Sequence, residues 1–328
     1  MAEGTSRLSQ WILSIVAIIV WTNIGCTQAQ TYPSHTTTIV VPYSPGGIVD
    51  VIARLIADRL RITLGQPVIV DNKAGAGGNI GTSAVSNAAP DGYTLLLGSP
   101  SHTINPSLYP NLTWDPIRSF EPIIMIGVVP NVLVLHPSVQ ANTLAEFIAL
   151  AKAKPGEFSY ASAGAGSSNH LTVELLKSRT GIDMVHVPYK GQPDAIRDLL
   201  ADRVQFMATS IALVQQYIQS GQLRALAITN TERATLLPDV PTADEAGLPD
   251  FDVVAWFGLF APAKIAPDIV QRLNHDLRQI LAKPEILSRL ETIGLTIRAG
   301  TAEDLRRFVA KDRDRWADSI KKAHIRID

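Results

Sequence analysis

Cysteine is all but missing from this sequence. Cys26 is the whole supply among 328 residues. An intrachain disulfide and a cysteine-based metal centre are therefore excluded, and so is thiolate catalysis once a leader is removed. Excess charge of either sign is missing too: 29 Lys and Arg face 30 Asp and Glu, a formal net charge of −1. No Lys/Arg run interleaves with aromatics, so nothing would draw in nucleic acid, and an anionic ligand would have to be held by local geometry. Long hydrophobic runs are absent as well. The block Trp11–Trp21 has eleven residues, short of the roughly 20 that a membrane-spanning helix needs. The seven histidines are scattered, and neither an H-E-x-x-H helix nor an EF-hand loop occurs, so no metal and no cofactor are expected.

The remainder is ordinary for a globular protein: 46% hydrophobic and 18% charged residues, with length for two domains. The N-terminus stands apart. Arg7 precedes the apolar block, and Thr27, Gln28 and Ala29 put small residues where a signal peptidase reads. Residues 1–29 thus read as a secretory signal peptide. Lipidation of Cys26, which follows Gly25, and an uncleaved anchor stand as alternatives.

From about residue 30 onward, strand, loop and helix alternate. Thr38–Val41 reads as a strand, and Ile48–Leu64 as a helix with Ile48, Val51, Ile52, Leu55, Ile56 and Leu60 on one stripe. Ile123–Val129 and Val132–Leu135 read as two strands around Pro130, and GSPSHTINP (residues 98–106) follows a strand. The alternation implies an α/β fold with mostly parallel sheets and helices on both faces. From Pro267 the pattern changes to three successive, charge-rich helices.

One unit recurs. VPYSPGGIVD (residues 41–50) and FSYASAGAGSSNHLTVELLKSRTG (residues 158–181) are each a strand, a glycine-rich turn and a helix. Such a turn presents helix N–H groups that lack intrahelical acceptors and roughly half a positive charge, a natural anion site. The glycines would let a ligand approach the backbone, and Ser167 or Ser168 would cap the second helix. Two such ends facing one another would make a cleft with an anion cradle on each wall.

At these residues the chain resembles a known family, the extracytoplasmic solute receptors of the tripartite tricarboxylate transporters, or Bug receptors. The resemblance runs from about Thr38 to Gly294. It rests on an ordered set of blocks: VPYSPGGIVDVIAR, VIVDNKAGAGGNIG, PDGYTLLLGS, GSSNHLTVELL, VPYKG, ITNTERATLLPDVPTADEAG and APAKIAPDIVQRLN. Lys73 and the pair Lys264–Ile265 depart from the usual pattern outside the two turns. The resemblance implies a type II periplasmic binding protein, with two doubly wound α/β domains joined by a two-crossing hinge and a ligand cleft between them. Residues 36–130 plus 253–328 would form domain 1 and 131–252 domain 2, with crossings near Pro130–Asn131 and Phe251–Val254. A monomer would bind a small carboxylate, such as a di- or tricarboxylate, amino acid or aromatic acid, in the periplasm and hand it to a membrane permease.

The family's first ligand loop falls on Tyr43, Ser44, Gly46 and Gly47. Asp50 lies just inside the helix, either as a ligand group or as a structural partner of Arg54. The second loop falls on Ala76, Gly77 and Gly78. After the third strand come Ser99, Ser101 and Thr103, with His102 as donor or core histidine. The other wall would offer Ser162, Gly164, Ser167 and Ser168, with His170 as ligand or structural group. Tyr189 could pack on the ligand's body, Lys190 could meet a second carboxylate, and Thr209 and Ser210 end a further strand. Trp256 reads as packing near the hinge.

An enzyme is the rival reading. Neither GSPSH nor GSSNH is a G-x-S-x-G elbow, and AGAGG fails the dinucleotide fingerprint because Ile80 stands at its sixth place. A receptor that signals through a membrane kinase is the third reading.

Overall fold

The run of β-branched residues in β1 (Thr37–Val41) is buried on both faces, as expected of a strand inside a parallel sheet. Its parallel neighbours are β2 (Val68–Asn72) and β3 (Thr94–Gly98). The protein is known here from a computed structural model that describes residues 32–327. The candidate signal peptide and Cys26 lie outside the described residues, and from His35 onward the chain forms one unit. Helix α1 (Ile48–Leu64) covers the first strands because Ile48, Ile52, Ile56 and Leu60 form a buried stripe at i, i+4 spacing. Gly65, left-handed at φ 69, ends it by donating its N–H to the Arg61 carbonyl. One 3-10 turn, Ala76–Gly78, leads into α2 (Asn79–Ser86), and α3 (Ser101–Leu108) follows β3. The segment after β3 is helical from Ser101, and Pro106 falls too late in that helix to block its start.

The centre departs from the expected pattern. Residues 123–129 and 132–135 are not two strands but parts of one, β4 (Phe120–Leu135). Its first part pairs antiparallel with β9 (Val254–Pro262), ending at Pro130 opposite Val254. From Asn131 it pairs instead with β7 (Phe206–Ser210) and β8 (Arg224–Ile228). The partner changes at Pro130, which has no N–H to give a ladder. Beyond β7 lie β5 (Ser159–Ser162) and β6 (Val185–Pro188), both parallel to their neighbours. The full order is β2-β1-β3-β9-β4-β7-β5-β6, with β8 and β10 (Thr296–Ile297) attached to β4. The sheet is therefore mixed, not mostly parallel. β4 and β9 run between its two halves, and each must lie antiparallel to the strands that end in the middle.

Helices α4 (Leu144–Ala153), α5 (Ser168–Thr180), α6 (Gln192–Leu200) and α7 (Ile211–Gln219) flank the second half. Phe147 stacks on Phe206 at 4.8 Å beneath them. Across the return crossing, Thr229 Oγ1 donates to the Val253 carbonyl at 2.6 Å, and the Thr229 N–H donates to the Asn131 carbonyl at 2.9 Å. The tail forms α8 (Pro267–Leu281), α9 (Pro284–Glu291) and α10 (Ala302–Lys322). A capping box between Thr301 and Asp304 starts α10. Buried Asp312 fixes its middle, accepting from Thr103 Oγ1 at 2.6 Å and Trp256 Nε1 at 2.9 Å. Further along, Trp316 and Ile320 join the apolar cluster of Phe147 and Leu176. The tail thus lies across both half-sheets. Among the described residues, no helix is long and apolar enough to cross a membrane.

Candidate functional site

β1, β3, β5 and β7 end at one crevice, the first three followed by a turn and a helix and β7 running directly into α7. The cavity there is lined on one side by Tyr43, Gly47, Ile48, Val49, Ser99 and Pro100, and on the other by Ala163, Ser167, Ser168, Asn169, Gln192 and Ser210. Ala255 and Phe257 of β9 form its floor. Five helices point their N-termini at it: α1 through Gly47, α3 through Pro100, α5 through Ser167, α6 through Gln192 and α7 through Ser210. Only α5 is capped by the side chain of its own N-cap residue, Ser167 Oγ accepting from the His170 N–H at 3.3 Å. None of the lining residues is charged. The cavity therefore carries partial positive charge from backbone dipoles, with hydroxyls and amides as donors.

The walls are drawn together. The Ile48 N–H, first in α1, donates to Gln192 Oε1 at 3.2 Å, while Gln192 Nε2 donates to Thr209 Oγ1 at 3.2 Å. The Ser44 N–H donates to the Lys190 carbonyl at 3.3 Å, and Tyr109 OH to the Ala165 carbonyl at 2.9 Å. The enclosed space is about 30 Å³, room for a water or two. A larger guest requires the walls to part. A wider hollow of about 580 Å³ lies on the far side of the 163–165 loop, lined by Ala76, Gly77, Tyr109, Tyr189, Lys190 and Arg197 among others.

The structure sorts the candidates. Tyr43, Gly47, Ser99, Ser167, Ser168 and Ser210 line the inner cavity. Ala76, Gly77, Gly164, Tyr189 and Lys190 line the outer hollow, where the Tyr189 hydroxyl is already donated to Asp198 at 2.8 Å. The others line neither space. Asp50 is buried and accepts from the Gly46 N–H, Arg54 Nε and Asn72 Nδ2. Burial pushes its pKa up, but those bonds outweigh it and hold the carboxyl below its usual range. Ser101 Oγ lies 3.4 Å from Ser99 Oγ, beside Gly78, and Thr103 is spent on Asp312. Thr209 accepts from Gln192, and Ser162 and His170 support the loop from below. His102 stacks on Phe260 at 4.6 Å, and burial lowers its pKa to about 4. Trp256 packs with Phe260 and Phe308.

The glycines have a different task from the one expected. Gly46 donates its N–H to Asp50, Gly164 to Ser162 Oγ and Gly166 to His170 Nδ1, so these N–H groups are not aimed at a guest. Gly77 and Gly164 instead let the two walls touch. A Cβ on Gly77 would stand 1.8 Å from the Ala165 carbonyl oxygen, and one on Gly164 would stand 3.2 Å from the Gly77 Cα.

Sequence reasoning missed Gln192, Asn169, Phe257 and Ala255. Gln192 left a readable trace: VPYKGQPDAIRDLL (residues 187–200) is a third strand, glycine and helix in succession. The β9 residues left none, because they come from a strand that reads as pure core.

Residues 52–325 match the family described as the tripartite tricarboxylate transporter family receptor. The chain belongs to this receptor family. The chain is 38% identical to Protein BugT of Bordetella pertussis over 320 residues, 96% of this chain and 98% of that protein. The structure of periplasmic binding protein BugD is 36% identical and superposes with a TM-score of 0.86 over 90% of this chain and 99% of that one. R. palustris Rpa4515, solved with adipate, is 35% identical with a TM-score of 0.87 over 90% and 99%. As a member of the receptor family, the chain has the periplasmic binding protein fold. It is a solute-binding receptor of the periplasmic type and not an enzyme.

Proposed function

We propose that the receptor captures a small carboxylate in the inner cavity and hands it to a tripartite tricarboxylate-type membrane permease. The convergence of five helix N-termini on an uncharged cavity carries this reading. Hydrogen bonds to a charged group contribute about 1.5–3 kcal/mol each. Four from backbone N–H and serine donors supply roughly 6–12 kcal/mol before ordering costs, against about 8 kcal/mol for micromolar affinity. No arginine clamp is needed. The relative solved with adipate supports a carboxylate guest. Of the candidate groups, Tyr43, Gly47, Ser99, Ser167, Ser168 and Ser210 would hold it, joined by Gln192 and Asn169.

Residues 36–130 with 253–328 would form one lobe and 131–252 the other. The change of strand partner at Pro130–Asn131 and the Thr229–Val253 clip support this division. Residues 1–29 would direct export and be removed. A thermal-shift screen over mono- and dicarboxylates tests the binding. A bound acid at 100 times its Kd should stabilise the protein by about 2.7 kcal/mol. No shift with any acid, from folded protein shown to be ligand-free, refutes it.

A further inference from the structure

Two stacked histidines lie beneath the 162–168 loop, outside both spaces. The rings of His170 and His186 are 4.2 Å apart, and Tyr160 stacks on His186 at 4.8 Å. The Gly166 N–H reaches His170 Nδ1 at 3.2 Å. An N–H can only donate, so that nitrogen is unprotonated and the ring carries its proton on Nε2. Ser162 Oγ lies 2.7 Å from His186 Nε2 and accepts from the Gly164 N–H at 3.1 Å. Ser162 is fully buried, and its own proton has one acceptor among the described residues, His186 Nε2. A buried hydroxyl left without an acceptor costs about 1–3 kcal/mol, so His186 carries its proton on Nδ1. The two rings thus have opposite tautomers, each fixed by the loop above it.

We propose that His170 and His186 are positioning residues that act as neutral hydrogen-bond acceptors. Through Gly166 directly and Gly164 by way of Ser162, they set the loop that supplies Ala163, Ser167 and Ser168 to the cavity and Ala165 to the opposite wall.

The surroundings keep both rings neutral. Burial lowers His170 to about 4, with Lys177 adding to the effect. Burial lowers His186 to about 3, aided by His170 and Lys177 and opposed by Glu174. Glu174 is itself engaged by Tyr160 OH at 2.6 Å and Lys177 Nζ at 2.8 Å. Protonation would turn the His170 acceptor into a donor facing the Gly166 N–H, and on His186 it would leave the buried Ser162 hydroxyl proton without an acceptor, so the loop would lose its anchors.

The inference concerns the site of the proposed function, but its first test needs no carboxylate. Long-range proton–nitrogen spectra at pH 7 should show an unprotonated Nδ1 on His170 and an unprotonated Nε2 on His186. The reverse tautomers, or an imidazolium on either ring, overturn it. Asn places its Oδ1 where His has Nδ1, and Gln places its Oε1 where His has Nε2. His170→Asn and His186→Gln should therefore keep slow amide exchange at Gly166 and Gly164, while His170→Leu and His186→Leu should speed exchange about 10- to 100-fold at those amides. With adipate as probe, the Leu variants should bind about 10-fold or more weakly and the Asn and Gln variants within a few-fold of wild type. Leu variants that match wild type in exchange overturn the proposal. If the Leu variants do not fold, the wild-type spectrum and the Asn and Gln variants decide. If adipate fails to bind wild-type protein, adipate is not its guest, and the spectra and exchange rates still judge the histidines.

Discussion

Gly77→Ala should hold the receptor open. Gly77 sits at φ 60 and ψ 28, where alanine costs about 1 kcal/mol in any conformation of the protein. The larger effect belongs to the closed form alone. The new methyl would stand 1.8 Å from the Ala165 carbonyl oxygen and 3.0 Å from its carbon, so the two walls cannot meet there. The bonds that join them would go with it: Tyr109 to Ala165, Ser44 to Lys190, and Ile48 to Gln192. At about 0.5–1.5 kcal/mol each, the three are worth roughly 1.5–4.5 kcal/mol to closure. Closure, and the affinity of any acid that needs it, should fall by about 10- to 1000-fold. Small-angle scattering of the ligand-free variant should give a larger radius of gyration than wild type. Calorimetric titration with the best acid from the screen should show the lost affinity. Gly65→Ala is the control. Gly65 has φ 69 with open space around its Cα, so it should lose the same stability and keep both radius and affinity. A Gly77 variant with wild-type radius and affinity would refute the reasoning.

Two more outcomes follow from the same structure. Stability should decline with acid between pH 6.5 and 4. Buried His102 and His170 titrate at about 4 and His186 at about 3 when folded, against about 6.5 when unfolded. The unfolded chain therefore takes up protons first, and each ring withdraws up to about 1.4 kcal/mol per pH unit across that window, while above pH 6.5 its contribution is complete. Urea titrations at pH 7, 5.5 and 4.5 would read this, and flat stability would contradict it. In the outer hollow, Arg197 is paired with Asp194 at 3.0 Å, whereas no ion pair engages Lys190 among the described residues. Lys190 lines this hollow and not the inner cavity, so Lys190→Met should leave the affinity for monocarboxylates and dicarboxylates within a few-fold of wild type, and a loss of about ten-fold or more would contradict the placing of the guest in the inner cavity.

What the sequence by itself determined is local. The i, i+4 stripe of Ile48, Ile52, Ile56 and Leu60 makes α1 a buried-face helix wherever it packs, and Gly65 stops it because glycine enters the left-handed region freely. Strand, turn and helix follow in order at 41–50 and at 158–181, and the inner cavity draws Gly47, Ser167 and Ser168 from those units. The ordered motif blocks pointed to the receptor family for the same reason: each is a short local pattern. Only the tertiary structure decided what meets across the chain. Gln192 bonds Ile48 at a separation of 144 residues, and Thr103 bonds Asp312 at 209. β4 and β9 lie antiparallel because both must pass between the two half-sheets, a condition absent from either segment alone. The glycines show the division most clearly. Their positive φ is a property of the turn, but whether the open side of Gly77 faces a guest or the Ala165 carbonyl depends on how every other element packs.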